Sequence, residues 1–356
     1  MTQMTQMTPW MIYGANGYPG ELIVAEAKRL GLTPVLAGRN AGKVQALASH
    51  HGLEHRVFGL DDAATVAKGV EGMSVVLHCA GPFFRTFEAM LGGCLLAKAH
   101  YLDITGEIAV FEGCARKDAE AKAAGITVMP GVGFDVVPSD CLAASLKAAL
   151  PGATTLELSF GGGAGTSRGT AKTMVSGLGQ GGAVRRGGKI RRVPNAYIVK
   201  QAPFHDKQRT VVSIPWGDVA TAWRSTRIPD ITTLMAMPPA QLRVLKLARY
   251  IGPLLATAFV QKWLTARIDA APAGPSESAR NRSNMQLHGR VTDAAGTVVE
   301  GTLTVPEGYT HTANASVAVV QRMLAGGVAS GYQTPSLAFG AGFVATLPGC
   351  TLRVPA

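Results

Sequence analysis

The sequence predicts an α/β protein with a Rossmann-type, doubly wound parallel sheet, followed by a second domain with an antiparallel or mixed sheet. Three observations predict this fold. From Trp10 onward, short apolar runs alternate with segments of helical periodicity, which is the pattern of successive βαβ units. A glycine-rich turn separates the first predicted strand from the first predicted helix. After Met129 this alternation ends, and proline and glycine become frequent.

The first predicted domain contains six strands with helices between them. The first helix is expected to end at Gly31, because glycine is the usual residue after a helix C-terminus. Strands are expected at 11–13, 34–37, 56–60, 74–79, 101–104 and 126–129, and helices at 18–30, 41–50, 63–69, 86–99 and 108–124.

The second predicted domain begins near Pro138-Ser139-Asp140, which has the composition of a helix start and marks the expected domain junction. Pro151-Gly152 then ends a helix over 141–150. Further strands are expected at 154–160, 211–214, 285–292 and 297–305, and further helices at 170–178, at 240–266 with a break near Pro253, and at 313–325.

Composition sets limits on the class of protein. The chain has 356 residues, 47% hydrophobic and 16% charged, which suffices for two packed domains and excludes a largely disordered protein. The net charge of +11 is uneven: residues 1–150 hold 12 Lys/Arg against 14 Asp/Glu, and residues 151–356 hold 22 against 9. The basic part could attract an anionic substrate, a partner, nucleic acid or a lipid surface, or its charges could be scattered and solvated.

Cysteine usage and the termini indicate a cytoplasmic protein. The five cysteines are an odd number without a C-x-x-C pair, which favours a reduced compartment. The first nine residues are expected to be a flexible tail, because the start repeats Met-Thr-Gln without the charged and apolar regions of a signal peptide. The apolar run 251–260 is too short to cross a bilayer.

The strongest local motif is Gly14-Ala15-Asn16-Gly17-Tyr18-Pro19-Gly20, between a predicted strand and a predicted helix. Such glycines let backbone N–H groups approach a pyrophosphate at a helix N-terminus. Arg39 follows Gly20 by 19 residues, where dinucleotide folds place the residue that recognises the adenosine ribose. An arginine there suits a 2′-phosphate, with Lys43 one turn further on as support, so NADP(H) is favoured over NAD. A surface arginine without this role is the alternative.

Loops after the later strands supply the other candidates, because ligands bind at the carboxyl edge of such sheets. The pair Asp61-Asp62 could contact adenine or could cap the next helix. Asp135 is the preferred polar residue where nicotinamide and substrate should meet, although a hydrogen bond between domains would equally explain it. The expected cofactor-binding residues are Gly14, Asn16, Gly17, Tyr18, Gly20, Arg39, Asn40, Lys43, Asp61, Ala80, Gly81, Pro82 and Thr105; Thr105 and Glu107 could instead open a helix.

Several kinds of chemistry find no support in the sequence. No tyrosine has a lysine four positions later, as a short-chain dehydrogenase requires. H-E-x-x-H, paired cysteine ligands and G-x-S-x-G are absent, so no metal site and no serine-hydrolase site are expected.

Five motifs in order carry a family resemblance. They are Tyr13–Tyr18, Ala37–Asn40, Cys79–Phe83, Tyr101–Glu107 and Gly133–Asp140. Together they resemble the saccharopine dehydrogenase-like oxidoreductases, including the trans-acting enoyl reductases. The resemblance implies a Rossmann NADP-binding domain over 1–136, a second, smaller α+β domain over 137–308, and a C-terminal segment, 309–356, that packs back toward the first domain.

The resemblance also implies hydride transfer between a nicotinamide and an imine or an activated C=C bond. Such a reaction needs a proton donor, for which Asp135, Asp103 and Tyr332 are the candidates. A dinucleotide-binding sensor or scaffold without chemistry is the alternative.

The basic segment 185–192 carries five cations in eight residues. It could hold the anionic part of a carrier-bound substrate, or it could be a solvated loop. A small-molecule substrate remains the other expectation, and the few aromatics nearby disfavour nucleic acid. The stretch 240–267 could form a buried helix pair, a homodimer face or, as a third hypothesis, a peripheral attachment to anionic lipid.

Overall fold

The computed structural model describes residues 8–177, 181–205, 207–243, 245–246 and 257–355. The expected tail over 1–9 therefore falls almost wholly outside the described residues, as does part of the expected helix over 240–266. Contacts divide the chain into two compact units. Unit 1 comprises residues 1–105, 112–133 and 312–333, and unit 2 comprises 106–111, 134–311 and 334–356.

Unit 1 contains a seven-stranded, wholly parallel sheet with the order β15-β6-β5-β4-β1-β2-β3. This is the expected Rossmann-type arrangement. Its strands are β1 (Trp10–Tyr13), β2 (Val35–Gly38), β3 (His55–Val57), β4 (Val75–His78), β5 (His100–Asp103), β6 (Thr127–Met129) and β15 (Gly331–Tyr332).

Helices connect these strands as the sequence predicts. They are α1 (Tyr18–Arg29), α2 (Ala41–His51), α3 (Ala63–Gly69), α4 (Phe83–Ala97), α5 (Ile108–Arg116) and α6 (Asp118–Ala124). The expected single helix over 108–124 is two helices, because Lys117 has backbone angles outside the helical range. The central strands β1, β2 and β4 are buried along their whole length, as apolar runs in a parallel sheet should be.

Unit 2 is built on a mixed sheet with the order β10-β11-β12-β7-β13-β14-β16; β8 pairs with β12 and with β9. Only β12 and β7 run parallel to each other among these described strands. The strands are β7 (Ala153–Gly162), β8 (Gly182–Arg186), β9 (Lys189–Val193), β10 (Val199–Pro203), β11 (Gln208–Ser213), β12 (Asp230–Ala236), β13 (Asn284–Asp293), β14 (Val298–Pro306) and β16 (Thr351–Arg353).

The helices of unit 2 include several that the sequence pattern did not predict. The expected ones are α7 (Val137–Ala149) and α8 (Arg168–Gly177), together with α12 (Gly308–Leu324), which contributes to both units. The elements that were not predicted are α9 (Asp218–Thr226), α11 (Glu277–Asn281), α13 (Pro335–Phe339) and a 3-10 helix, Ala341–Thr346, whereas α10 (Ala258–Asp269) falls largely within the expected helix over 240–266.

Two features of the units differ from expectation. Unit 2 holds more of the chain than unit 1, although a smaller second domain was expected. The C-terminal stretch 309–356 does not behave as one segment, because residues 312–333 belong to unit 1 and residues 334–356 to unit 2. The difference arises because β15 pairs with β6, while β16 extends the sheet of unit 2 beside β14.

Candidate functional site

The glycine-rich loop after β1 is folded so tightly that glycine is required at two positions. Gly14 has a φ of +81°, and a Cβ there would lie 2.8 Å from the backbone nitrogen of Ala80. A Cβ at Gly20 would lie 2.4 Å from the carbonyl oxygen of Gly14. The loop is thus closed over the first turn of α1 and touches the loop that follows β4.

The N-terminus of α1 fits a phosphate group. Pro19 is in its first turn, and no side chain caps its N-terminal residue, Gly17. Uncapped N–H groups and the helix dipole together attract anions. The predicted residues Gly14, Asn16, Gly17, Tyr18 and Gly20 lie at or directly before this helix N-terminus, so the loop fits the phosphate part of a dinucleotide.

A basic corner follows β2. Burial raises the pKa of Tyr13 to about 12, while nearby Arg39 lowers it and nearby Asp61 raises it. These two side chains are therefore neighbours of the Tyr13 hydroxyl, which donates to the carbonyl oxygen of Phe58 at 2.9 Å. Arg39 is exposed and has no ion-pair partner in the part of the chain that the structure describes. Its guanidinium is therefore available for an anion such as a 2′-phosphate.

Two polar side chains near the candidate site, those of Asn40 and Asp62, cap the N-termini of helices α2 and α3. The Asn40 side chain accepts a hydrogen bond from the Lys43 backbone N–H at 3.0 Å and caps α2. Asp62, not Asp61, caps α3 by accepting from Thr65 N at 2.7 Å. The capping alternative for the Asp61-Asp62 pair is therefore confirmed at Asp62.

The loop after β5 is ordered by a buried carboxylate. Asp103 is fully buried and accepts hydrogen bonds from the Tyr101 hydroxyl (2.6 Å), Thr105 N (2.9 Å) and Gly131 N (2.8 Å). Three donors compensate for the loss of water around the charge. These contacts hold two strand-end loops of unit 1 together, and they place the predicted Thr105 in a fixed, buried position.

Asp135, in unit 2, has very different surroundings. The residue as a whole is half-buried, and desolvation of its carboxyl group, with a further contribution from the charge of Glu107, raises its pKa to about 7. The Trp216 indole N–H donates to the Asp135 backbone carbonyl at 3.1 Å and fixes the main chain there. A carboxyl group that keeps its proton up to neutral pH can act as a general acid.

Comparison with known proteins supports the interpretation of the N-terminal part. The model of the saccharopine dehydrogenase NADP binding domain matches residues 10–129. These residues are therefore similar to the NADP-binding domain of saccharopine dehydrogenases. The match covers the six strands β1 to β6 and the helices between them, it includes the glycine loop and Arg39, and it confirms the expected NADP(H) cofactor.

Curated relatives match across this domain and beyond it. Human saccharopine dehydrogenase-like oxidoreductase is 26% identical over 54% of this chain and 50% of its own length. The trans-acting enoyl reductase of Mycobacterium leprae (strain TN) is 29% identical over 36% of this chain and 33% of its own length. The chain thus spans about half the length, or less, of these relatives.

The fold of the whole chain is similar to that of a solved enzyme. Apo histidine-tagged saccharopine dehydrogenase (L-Glu forming) from Saccharomyces cerevisiae matches with a TM-score of 0.64 and 13% sequence identity. The match covers 98% of this chain and 100% of the yeast chain. At this identity the comparison concerns the fold, and it confirms the Rossmann-type sheet with a second mixed-sheet domain.

The third proton-donor candidate, Tyr332, lies in the NADP-binding unit with Asp103. It is part of the edge strand β15, and its backbone N–H donates to Asp118 at 2.8 Å. The three candidates therefore do not share one unit, since Asp135 belongs to unit 2. Asp135 follows Gly133, the last residue of unit 1 in this part of the chain, by two positions.

His78, at the end of β4, is a residue that the sequence analysis missed. It is fully buried beside the rings of Tyr13, Phe83 and Tyr101. Its Nε2 lies 2.9 Å from the hydroxyl of Thr86, which in turn donates to the Ala80 carbonyl at 2.9 Å. Burial lowers the pKa of His78 to about 3, so the ring is neutral and structural.

Asp218 and Asp140 were also missed, and both are fully buried in unit 2. Desolvation, together with the charges of Asp140 and Asp135, raises the pKa of Asp218 to about 8, against the lowering effect of Ser139. Asp140 accepts from Ser336 N at 2.7 Å, and burial raises its pKa too. Asp135, Asp140 and Asp218 form what we call the acid cluster. Sequence gives no signal for it, because a helix-start aspartate is ordinarily exposed.

The basic segment 185–192 is a β-hairpin, not a loop. Arg185 is buried, donates to the carbonyls of Val219 (2.7 Å) and Gly188 (2.6 Å), and lies 5.3 Å from the Trp223 ring. Arg186 donates to the Thr232 hydroxyl at 3.0 Å. Only the β9 cations Lys189, Arg191 and Arg192 are exposed, so two of the five charges support the sheet.

The described residues contain neither a group of metal ligands nor a membrane-spanning helix. Among the described residues, no group of three or more His, Cys, Asp or Glu side chains could hold a metal ion. No helix within the described ranges is both long enough and apolar enough to span a bilayer.

Proposed function

We propose that the chain is an NADP(H)-dependent oxidoreductase that reduces a C=N bond or an activated C=C bond, with Asp135 as the proton donor. The observation that carries the proposal is the pKa of the Asp135 carboxyl group, which desolvation raises to about 7 in a residue that is half-buried as a whole. It belongs to a chain whose first unit is an NADP-binding domain. A sensor or scaffold would have no need of a carboxyl that stays protonated near neutral pH.

Residues of the NADP-binding domain would bind and orient the cofactor. The backbone N–H groups at Gly14–Gly20 would bind the pyrophosphate, and the Arg39 guanidinium would bind the 2′-phosphate. When bound, NADPH supplies the hydride. The Asp103 hydrogen bonds would keep the strand-end loops at Thr105 and Gly131 in place.

Asp135 would supply the proton from its carboxyl oxygen. With an imine the proton goes to nitrogen, and with an enoyl thioester it goes to the α-carbon. Glu107 lies near enough to raise the pKa of Asp135, so its negative charge helps to keep the Asp135 proton in place until substrate binds. Below about pH 7 the carboxyl is protonated and competent as an acid.

The test follows NADPH oxidation with a panel of imines and enoyl thioesters. We expect turnover with one class, and a rate of reduction that falls as pH rises through about 7. Tight NADPH binding without turnover of any panel member would favour the dinucleotide-binding sensor. Turnover that is independent of pH between 5.5 and 8.5, as a rough range around neutrality, would exclude Asp135 as the donor.

Arg39 provides a separate test of the cofactor. Fluorescence titration should give tighter binding of NADPH than of NADH. Arg39→Ala should weaken NADPH binding by about tenfold to a hundredfold, because a charged contact to phosphate is lost, and should leave NADH binding unchanged. Equal affinities for the two cofactors in the wild-type protein would contradict the assignment of Arg39.

The same proposal includes an anionic, carrier-bound substrate. The exposed cations Lys189, Arg191 and Arg192 would bind the anionic part of a carrier-bound substrate. Replacing all three by glutamine should raise KM for a phosphopantetheine thioester and leave KM for a short, uncharged thioester unchanged.

The proposal also includes a cytoplasmic location and a homodimer. All five cysteines are free thiols, as a reduced compartment requires.

A further inference from the structure

Helix α10, Ala258–Asp269, presents an aromatic face to solvent. The helix has no buried residue. Phe259 is 81% exposed and Trp263 is 51% exposed, and their spacing of four residues places them on the same face. An outward pair of large aromatics on one helix of a folded domain indicates a surface that binds something.

α10 contacts α8 on the side that carries Gln261 and, near its C-terminal end, through Asp269, so the exposure of the aromatics is not due to a detached helix. The Gln261 side-chain amide donates to the Val175 carbonyl at 3.0 Å. Lys172 and Asp269 form an ion pair with a distance of 2.5 Å. These contacts fix the rotation of α10 and therefore fix which side chains point outward.

Cations flank the aromatics on the outward face. Lys262 and Arg267 are exposed, and the Arg267 guanidinium lies 4.7 Å from the centre of the Trp263 ring. Positions 259, 262, 263, 266 and 267 follow the spacing of a single helical face. The one carboxylate of α10 belongs to Asp269, which pairs with Lys172. The outward face of α10 is thus aromatic and positively charged.

The size of this face argues against a second copy of the chain as its partner. Phe259 and Trp263 together offer on the order of 300 Å² of exposed aromatic surface, since such side chains bury roughly 150–250 Å² each. A stable protein interface needs about 800 Å² from each partner. A lipid surface needs no matching partner surface, because each aromatic side chain enters the headgroup region individually.

We propose that the outward face of α10 attaches the protein peripherally to a bilayer with anionic headgroups. Phe259 and Trp263 lie at the boundary of headgroups and acyl chains, and Lys262 and Arg267 extend to the lipid phosphates. The attachment is a property of unit 2 that does not depend on cofactor binding or on turnover. The excess of Lys and Arg over Asp and Glu in residues 151–356 adds a longer-range attraction of the same sign.

Vesicle flotation tests the proposal with the full chain. At low ionic strength we expect binding to vesicles of phosphatidylcholine with phosphatidylserine and little binding to pure phosphatidylcholine. Binding should be lost near 1 M salt, where the screening length falls to about 3 Å. No binding to the anionic vesicles, or equal binding to both kinds, would overturn the proposal.

Paired variants separate the two contributions. Lys262→Gln and Arg267→Gln should each weaken binding about fivefold, as expected for one cation at an anionic membrane surface. Phe259→Ser with Trp263→Ser should weaken it more than about tenfold, because two aromatic side chains lose their burial. The matched control is Tyr197→Ser with Arg192→Gln, which removes one aromatic that is 51% exposed and one exposed cation elsewhere in unit 2. It should bind as the wild type does.

Tryptophan fluorescence gives a readout that a loss of folding would not mimic. The difference between wild type and Trp263→Phe isolates the emission of Trp263, which should shift to shorter wavelength on addition of anionic vesicles. Circular dichroism and NADPH affinity should be the same in all variants. A concentration-dependent dimer that the Phe259 and Trp263 replacements abolish, without a vesicle-induced shift, would replace the lipid by a second copy and overturn the proposal.

Discussion

Asp103 in unit 1 and Asp218 in unit 2 are both fully buried, but their carboxyl groups have opposite hydrogen bonding. In unit 1, Asp103 accepts three hydrogen bonds at 2.6, 2.9 and 2.8 Å. In unit 2, neither carboxyl oxygen of the buried Asp218 accepts a hydrogen bond from a described residue, and Ser139, which lies beside it, donates its hydroxyl proton to the Val136 carbonyl at 3.1 Å. A protonated Asp218 can donate to the Ser139 oxygen, which agrees with its pKa of about 8.

The difference shows that the number of donors, not burial alone, sets the role of a buried aspartate. A carboxylate with several donors remains charged and holds loops together. A carboxyl group with few donors and negative neighbours holds its proton instead. Unit 1 therefore uses its aspartate for architecture, and unit 2 has protons available near neutral pH.

Asp135→Asn should have the largest effect on catalysis. It removes the proposed donor and should lower kcat by roughly 10²- to 10⁴-fold, since that is the usual contribution of general acid catalysis. NADPH affinity should not change, because the cofactor-binding residues lie in the other unit. Asp293→Asn, at the β13–β14 turn, is the matched control and should retain full activity. Equal activity of Asp135→Asn and wild type would remove Asp135 from the mechanism.

Among the proposed variants, Asp103→Asn should cause the largest loss of stability. The amide cannot accept from all three donors as well as the carboxylate does, so we expect a loss of about 3 kcal/mol in the free energy of unfolding. Urea unfolding followed by circular dichroism measures it. If Asp103→Asn were as stable as wild type but inactive, Asp103 would be a catalytic residue and the contrast between the units would fail.

The sequence could predict unit 1 far better than unit 2. The glycine loop and Arg39 have a fixed spacing that backbone geometry imposes, so both the fold and the cofactor follow from them. In unit 2, glycine and proline are frequent and no regular βαβ alternation marks the strands, and β8, β9, β10, β12 and β16 were not predicted. Their pairing depends on long-range contacts, such as β7 between β12 and β13, that local periodicity does not contain.

The residues of the candidate site could likewise be predicted only in part from the sequence. Asp135 could be found because it lies in a loop after the sixth predicted strand. Asp218 could not, because its burial depends on Gly217, where a Cβ would lie 2.5 Å from the Phe111 ring. Residues 111 and 217 are far apart in the chain, so only the folded structure reveals that this helix start is enclosed. His78 was missed for a similar reason, since its partners Tyr13 and Tyr101 come from other strands.

Two tyrosine variants test whether the Asp103 carboxyl group in unit 1 is ionised. The Tyr101 hydroxyl donates to the Asp103 carboxylate, and the Tyr13 hydroxyl donates to a neutral carbonyl. Tyr101→Phe should therefore cost about 2 kcal/mol and Tyr13→Phe about 1 kcal/mol, because hydrogen bonds to charged groups are the stronger ones. Thermal and urea unfolding of both variants provide the comparison. Equal costs would indicate that the Asp103 carboxyl group is neutral, as we expect for Asp218 below pH 8.

Asp218→Asn tests the same contrast from unit 2, through the pH dependence of stability. The pKa of Asp218 is raised from 3.8 to about 8 in the folded protein. Between these values the folded state holds one proton that the unfolded state has lost. The stabilisation is therefore complete below the unfolded pKa and is lost as pH rises toward 8, by about 1.4 kcal/mol per pH unit. Asparagine does not titrate, so Asp218→Asn should lose stability less steeply than wild type over this range. Unfolding by urea at a series of pH values measures both slopes, and parallel curves would mean that Asp218 is ionised in the folded protein despite its burial.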